Sequence, residues 1–74
     1  MKIVVWGGPT CSQCKDVVKH LDEAGAEYEY VNAMDRMEEF LKFGTRSVPV
    51  ITQGTAMVVG YKRPIVQRMI EAQQ

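Results

Sequence analysis

Residues 2–25 read Lys-Ile-Val-Val-Trp-Gly-Gly-Pro-Thr-Cys-Ser-Gln-Cys-Lys-Asp-Val-Val-Lys-His-Leu-Asp-Glu-Ala-Gly, and the architecture follows from this stretch. Residues 2–6 are rich in β-branched and aromatic side chains and end at Gly7-Gly8-Pro9, as a buried first strand does. From Ser12 to Ala24 the apolar positions Cys14, Val17, Val18, Leu21 and Ala24 recur every three or four residues. Lys15, Lys19, Asp22 and Glu23 fall between them, so the segment reads as an amphipathic helix stopped by Gly25. Residues 26–31 alternate Ala26, Tyr28 and Tyr30 with Glu27, Glu29 and Val31, which suits a second strand.

Further along, Asn32 followed by Asp35 has the form of a helix N-cap with an acid in the first turn. Met34, Met37, Leu41 and Phe40 offer that helix an apolar stripe, and Gly44 ends it. Residues 48–52 (Val-Pro-Val-Ile-Thr) form a strand entered through a proline. Gln53-Gly54 is a short turn, and Thr55–Val59 a fourth strand, which makes a hairpin. Pro64 fits the first turn of a last helix whose buried face holds Ile65, Val66, Met69 and Ile70. The order is β-α-β-α-β-β-α over residues 1–74, an α/β domain with a mixed four-stranded sheet and three helices. Its first β-α-β unit requires a parallel pair with a right-handed crossover.

Both cysteines lie in Cys11-Ser12-Gln13-Cys14, where the first strand gives way to the first helix. Two intervening residues at a helix start let the sulfurs meet within one turn. The free N–H groups and positive end of the helix favour the Cys11 thiolate, the species that attacks disulfides. Cys14, one turn deeper, suits the resolving role. Structural zinc requires four ligands, and beyond this pair the chain offers only His20. A structural disulfide would close a trivial loop. Thiol–disulfide chemistry is the reading this context favours, with no metal.

Composition limits the alternatives. Nine Lys plus Arg balance nine Asp plus Glu, which argues against a nucleic-acid partner. The apolar runs are too short for a membrane span or a signal peptide, so a cytoplasmic location is expected. The zero net charge hides an asymmetry: residues 1–41 hold four basic and eight acidic side chains, whereas residues 42–74 hold five and one. The second half carries Arg46, Lys62 and Arg63, two of them adjacent to loops expected at the rim of the cysteine site, where a basic rim is expected. A positive field there would favour the Cys11 thiolate and an acidic partner or a carboxylate ligand.

Three segments, Pro9-Thr10-Cys11-Ser12-Gln13-Cys14, Ser47-Val48-Pro49-Val50-Ile51 and Gly60-Tyr61-Lys62-Arg63-Pro64, resemble the glutaredoxin branch of the thioredoxin fold. The Cys-x-Gln-Cys form is most similar to NrdH-type redoxins, small electron donors of ribonucleotide reductase. The resemblance implies Cys11 as nucleophile, Cys14 as resolving thiol and Pro49 as a cis-proline facing them. A cis Val48-Pro49 bond would leave the Val48 backbone free to pair with an extended substrate. No bound cofactor is implied beyond the redox-active disulfide. Thioredoxin reductase or glutathione would be the reductant, and ribonucleotide reductase or another disulfide-bearing protein the target of a monomer.

The chain departs from the family pattern in places. Val59 stands where a Ser is usual, Lys62 is inserted, no Asp follows Pro64, and the Gly-Gly-x-Asp-Asp glutathione signature is absent. A glutathione-dependent glutaredoxin, or a dimer holding an iron–sulfur cluster through Cys11 and glutathione, are the alternatives. Thr10, Gln13, Gly60 and Tyr61 are the remaining candidate contacts. His20, out of phase with Cys11 on the helix, is expected in solvent. Trp6 and Tyr28 are expected to pack, and Met57 and Met69 to lie on apolar faces.

Overall fold

The computed structural model describes residues 1–73. Strand β1 (Ile3–Gly7) lies inside the sheet, with order β2-β1-β3-β4. β2 (Tyr28–Asn32) runs parallel to it, with Val5 opposite Tyr30 and Gly7 opposite Asn32. β3 (Val50–Gln53) runs antiparallel on its other side, and β4 (Ala56–Val59) completes the hairpin. Side chains alternate across such a sheet, so β1 feeds two cores. Ile3 and Val5 join Ile51 and Val58 beneath helices α1 (Ser12–Glu23) and α3 (Arg63–Gln73), which contribute Val17, Leu21, Val66, Met69 and Ile70. Trp6, Val31 and Val50 face the opposite way, against Ala33 and Phe40.

The second helix is shorter than its pattern predicts. Asn32 caps it, its side chain accepting the Met34 N–H at 2.9 Å. A 3₁₀ turn (Ala33–Arg36) then leads into only five α-helical residues, α2 (Met37–Leu41). The predicted stripe is largely exposed: Met34 is 70% accessible, and Met37 and Leu41 also face solvent. Aromatic packing governs this face instead. Phe40 and Phe43 pack on Trp6 with ring centroids 6.2 and 5.2 Å away, and these large rings bury more area than methionines on the same face. The Arg36 guanidinium covers the Trp6 ring from 5.3 Å while pairing with Glu39. So short a helix leaves Met57, on edge strand β4, exposed as well, contrary to its expected apolar setting.

Two smaller departures have simple causes. Ile65 is exposed because Val66, Met69 and Ile70 already define α3's buried stripe, and Ile65 falls off its margin. Gln53 belongs to β3 rather than to the turn. It is buried with its amide nitrogen donating to the carbonyls of Met69 and Met1 at 2.7 and 3.2 Å, so its polar group is satisfied.

Ile51 is fully buried between β1 and the two long helices. Ile51→Ala is expected to lower unfolding stability by about 2–5 kcal/mol, read from the urea midpoint; a loss below about 1 kcal/mol would be inconsistent with this core. Tyr28 supplies a pH-dependent contribution. Its hydroxyl donates to Asp22 at 2.7 Å. That bond, then partial burial and the Asp22 charge, hold the phenol above its ordinary value of 10.0. A raised folded-state value stabilises the fold fully below the unfolded-state value, and the contribution disappears as pH rises through the folded-state one. The urea midpoints of the parent and Tyr28→Phe should therefore differ near neutrality and converge at strongly alkaline pH. A gap of constant size across that range would rule this out.

Candidate active site

The turn from β1 into α1 puts the two sulfurs in different surroundings. Cys11 occupies the N-cap of α1, and its Sγ accepts the Cys14 backbone N–H at 3.1 Å. This is one of the N–H groups that a helix start leaves without an intrahelical partner. Cys11 is half-buried, whereas Cys14 is 1% exposed. The two form a disulfide with their Cα atoms 5.3 Å apart. The outer sulfur thus has both solvent access and the electrostatic help of the helix end, and the inner sulfur has neither.

Gly7 makes this arrangement possible. A Cβ there would overlap the Tyr30 hydroxyl and fall 2.8 Å from Cys14 Sγ. Tyr30 rises from edge strand β2 and donates its hydroxyl to the Gly8 carbonyl at 3.3 Å. With Gly8, Pro9 and both cysteines it lines a groove of about 500 Å³, whose other wall is the Lys15, Val18, Lys19, Asp22 and Glu23 side of α1. The strand alternation reveals no special role for Tyr30. Its importance depends on the glycine opposite and on the sulfur behind that glycine, and neither proximity is local in sequence.

On the far side of α1, hydrogen bonds tie the expected site segments together. The Val48-Pro49 peptide is cis, and Pro49 is buried. The Pro49 carbonyl accepts the Gly60 N–H at 2.7 Å. Gly60 adopts φ +84°, a left-handed conformation natural to glycine. The next N–H, of Tyr61, donates to Gln13 Oε1 at 3.3 Å. Gln13 therefore connects the cysteine turn to the β4–α3 loop, and Pro49 fastens that loop from below. Val48 lies just ahead of β3, half-buried, and Thr10 is exposed in the loop before Cys11. The carbonyl of Lys62 accepts the Ile65 and Val66 N–H groups in the first turn of α3. Arg46 lines a hollow with Met37, Phe40 and Leu41, and Arg63 lines another with Asp16, Lys19, His20, Glu23 and Tyr61.

His20 is the main correction. It is 7% exposed, not solvated. The relevant phase is that of the Cys14–Val17–Leu21 stripe rather than of Cys11: three residues past Val17, position 20 lies on the flank of that stripe that α3 covers. Its Nδ1 lies 3.0 Å from the Tyr61 hydroxyl and its Nε2 2.9 Å from Gln67 Oε1. Gln67 donates through Nε2 to Glu71, leaving Oε1 to accept. The network therefore makes His20 Nε2–H a donor to Gln67, and in the neutral ring Nδ1 accepts the Tyr61 O–H. Among the described residues, no group of three or more His, Cys, Asp and Glu side chains comes together to hold a metal. No helix among them is long and apolar enough to cross a membrane.

Comparison with known proteins agrees with this geometry. Residues 2–58 match the glutaredoxin family model. A Bacillus subtilis protein described as N-acetyl-S-hydroxy-L-cysteine reductase is 33% identical over 58 residues, which cover 73% of this chain and 62% of that relative. The chain thus spans less than two thirds of that relative's length. The fold matches that of the glutaredoxin-like NrdH-redoxin of Escherichia coli with a TM-score of 0.82 at 22% identity, covering 92% and 93% of the two chains. A glutaredoxin from Archaeoglobus fulgidus matches with a TM-score of 0.78 at 26% identity, over 92% of this chain and 84% of that one. The chain belongs to the glutaredoxin family, and Cys11–Cys14 is its redox-active disulfide.

His20→Ala would leave the Tyr61 hydroxyl and the Gln67 amide without their shared partner. Chemical denaturation should show a loss of about 1–3 kcal/mol, larger than that for Tyr61→Phe, which removes one bond of the network. Equal stability of His20→Ala and the parent would exclude this bracing role.

Proposed function

We propose that the protein reduces disulfides in other proteins, with Cys11 as nucleophile and Cys14 as resolving thiol. The observation that carries this is the asymmetry of the pair: an accessible sulfur capped by a helix N–H and a shielded one beside it. In the reduced protein the Cys11 thiolate attacks one sulfur of the target. Its electron pair forms a mixed disulfide, and the displaced target thiolate takes up a proton. Cys14 then loses its proton and attacks Cys11 Sγ, and the second target sulfur leaves with the bond's electron pair and a proton. Counting the proton that Cys11 released on forming its thiolate, the target gains two electrons and two protons, and the cysteine pair loses the same.

The Cys-x-Gln-Cys motif favours ribonucleotide reductase as the target and thioredoxin reductase as the source of electrons. Glutathione is the alternative reductant. The half-buried Val48 backbone ahead of the cis-proline supports pairing with an extended target segment. Thr10, Gln13, Gly60 and Tyr61 border the same end of the molecule, and Arg46, Lys62 and Arg63 supply positive charge for an acidic partner. The reading assigns a monomer to a reducing compartment such as the cytoplasm, where a closely spaced cysteine pair is catalytic rather than structural.

A second reading is reduction of a small sulfenic acid. It is favoured by the groove of about 500 Å³ that both cysteines line and by the description of the Bacillus subtilis relative. Here Cys11 would displace hydroxide from an R–S–OH sulfur, the hydroxide would be protonated to water, and Cys14 would release the thiol.

One coupled assay tests both readings. NADPH consumption should require thioredoxin reductase rather than glutathione with glutathione reductase. A disulfide-bearing ribonucleotide reductase should turn over faster than N-acetyl-S-hydroxy-L-cysteine. Cys11→Ser should abolish turnover with either substrate. Faster turnover of the sulfenic acid would put the second reading first, and activity retained by Cys11→Ser would refute the mechanism.

A further inference from the structure

We propose that, in the reduced protein, the Tyr30 hydroxyl donates a hydrogen bond to the Cys14 sulfur and so makes the resolving thiolate available for attack on Cys11. This rests on the reading of Cys14 as the resolving thiol.

The two groups already flank one small space. A Cβ at Gly7 would meet both the Tyr30 hydroxyl and Cys14 Sγ, so the absence of a side chain at Gly7 leaves the space between the phenol and the sulfur unfilled. Although 43% of Tyr30 is exposed, its hydroxyl is turned inward to the Gly8 carbonyl. That bond is long for an O–H donor, at 3.3 Å, so it holds the hydroxyl only weakly.

Cys14 needs such a donor. Its sulfur is removed from water, and burial without a partner disfavours a thiolate. The Cys14 N–H at the start of α1 is already committed to Cys11 Sγ. Several other polar groups border the groove from α1 (Lys15, Lys19, Asp22 and Glu23), but all four are exposed. Asp22 already accepts the Tyr28 hydroxyl. Residues 3–10, in β1 and the following loop, contain no titratable side chain.

The hydrogen bond acts in the second half of the reaction. The Cys14 proton is given up to solvent, and as it leaves the phenol O–H stabilises the negative charge growing on sulfur. That electron pair forms the bond to Cys11 Sγ, and the departing target sulfur carries away the bond's electrons and takes up a proton. Tyr30 keeps its own proton throughout.

The test isolates Cys14 in a Cys11→Ser background and follows thiolate ultraviolet absorbance against pH, with and without Tyr30→Phe. Phenylalanine keeps the ring in place, and circular dichroism checks the fold of each variant. The Cys14 titration should move up by about one unit, a tenfold loss of thiolate at a given pH. In the otherwise intact protein, a chromogenic thiol preloaded on Cys11 should be released about tenfold more slowly in Tyr30→Phe. Coincident titration curves would overturn the proposal while leaving Cys14's role intact. Release that persists in Cys14→Ser would remove Cys14 from the resolving role, and the proposal with it.

Discussion

A buried strand must hand over to a helix within a few residues and leave one sulfur at the surface and the next beneath it. Both faces of β1 are covered, so its last residues cannot bend away from the core. Gly7 resolves the conflict. Because it has no side chain, the first turn of α1 sits close enough to the strand end for Cys14 to be sheltered there. Cys11 then falls on the helix cap. The differing accessibility of the two sulfurs, the groove beside them and the position of Tyr30 all follow from that one close approach.

Helix α1 has two working flanks. Cys14 and Val18 face the groove and β2, while Gln13 and His20 face α3 and the β4–α3 loop. A helix places residues three and four apart on neighbouring lines, so a twelve-residue element can present sulfur chemistry on one side and a hydrogen-bonded brace on the other. The brace runs from Gln13 through Tyr61 and His20 to Gln67 and Glu71. It fixes the β4–α3 loop, which the Pro49 carbonyl also grips.

Much of this was legible in the residues. The β-branched run before Gly7, the three-and-four spacing after Ser12, the Asn32 cap and the placing of Pro64 all report local preferences, and the structure follows them. The cis state of Pro49 was legible only through the resemblance, because nothing local in Ser-Val-Pro-Val demands it. What escaped depends on contacts distant in sequence. His20 looks like a surface residue until α3 is laid beside it. Met34, Met37 and Leu41 carry a helical period, but the aromatic packing of Phe40 and Phe43 on Trp6 overrides it. Tyr30 is one member of an alternating strand until the glycine beneath its hydroxyl is known.

The short α2 and the open margin of β4 have a consequence for durability. Met1, Met34, Met37 and Met57 are all exposed, and of the five methionines only Met69 lies in the core. Oxidation turns a methionine thioether into a polar sulfoxide, which damages a protein most where the side chain is packed. Here the accessible thioethers can absorb peroxide without disturbing the packing beneath the sheet. Four of the five methionines thus lie where conversion to a sulfoxide costs the fold little.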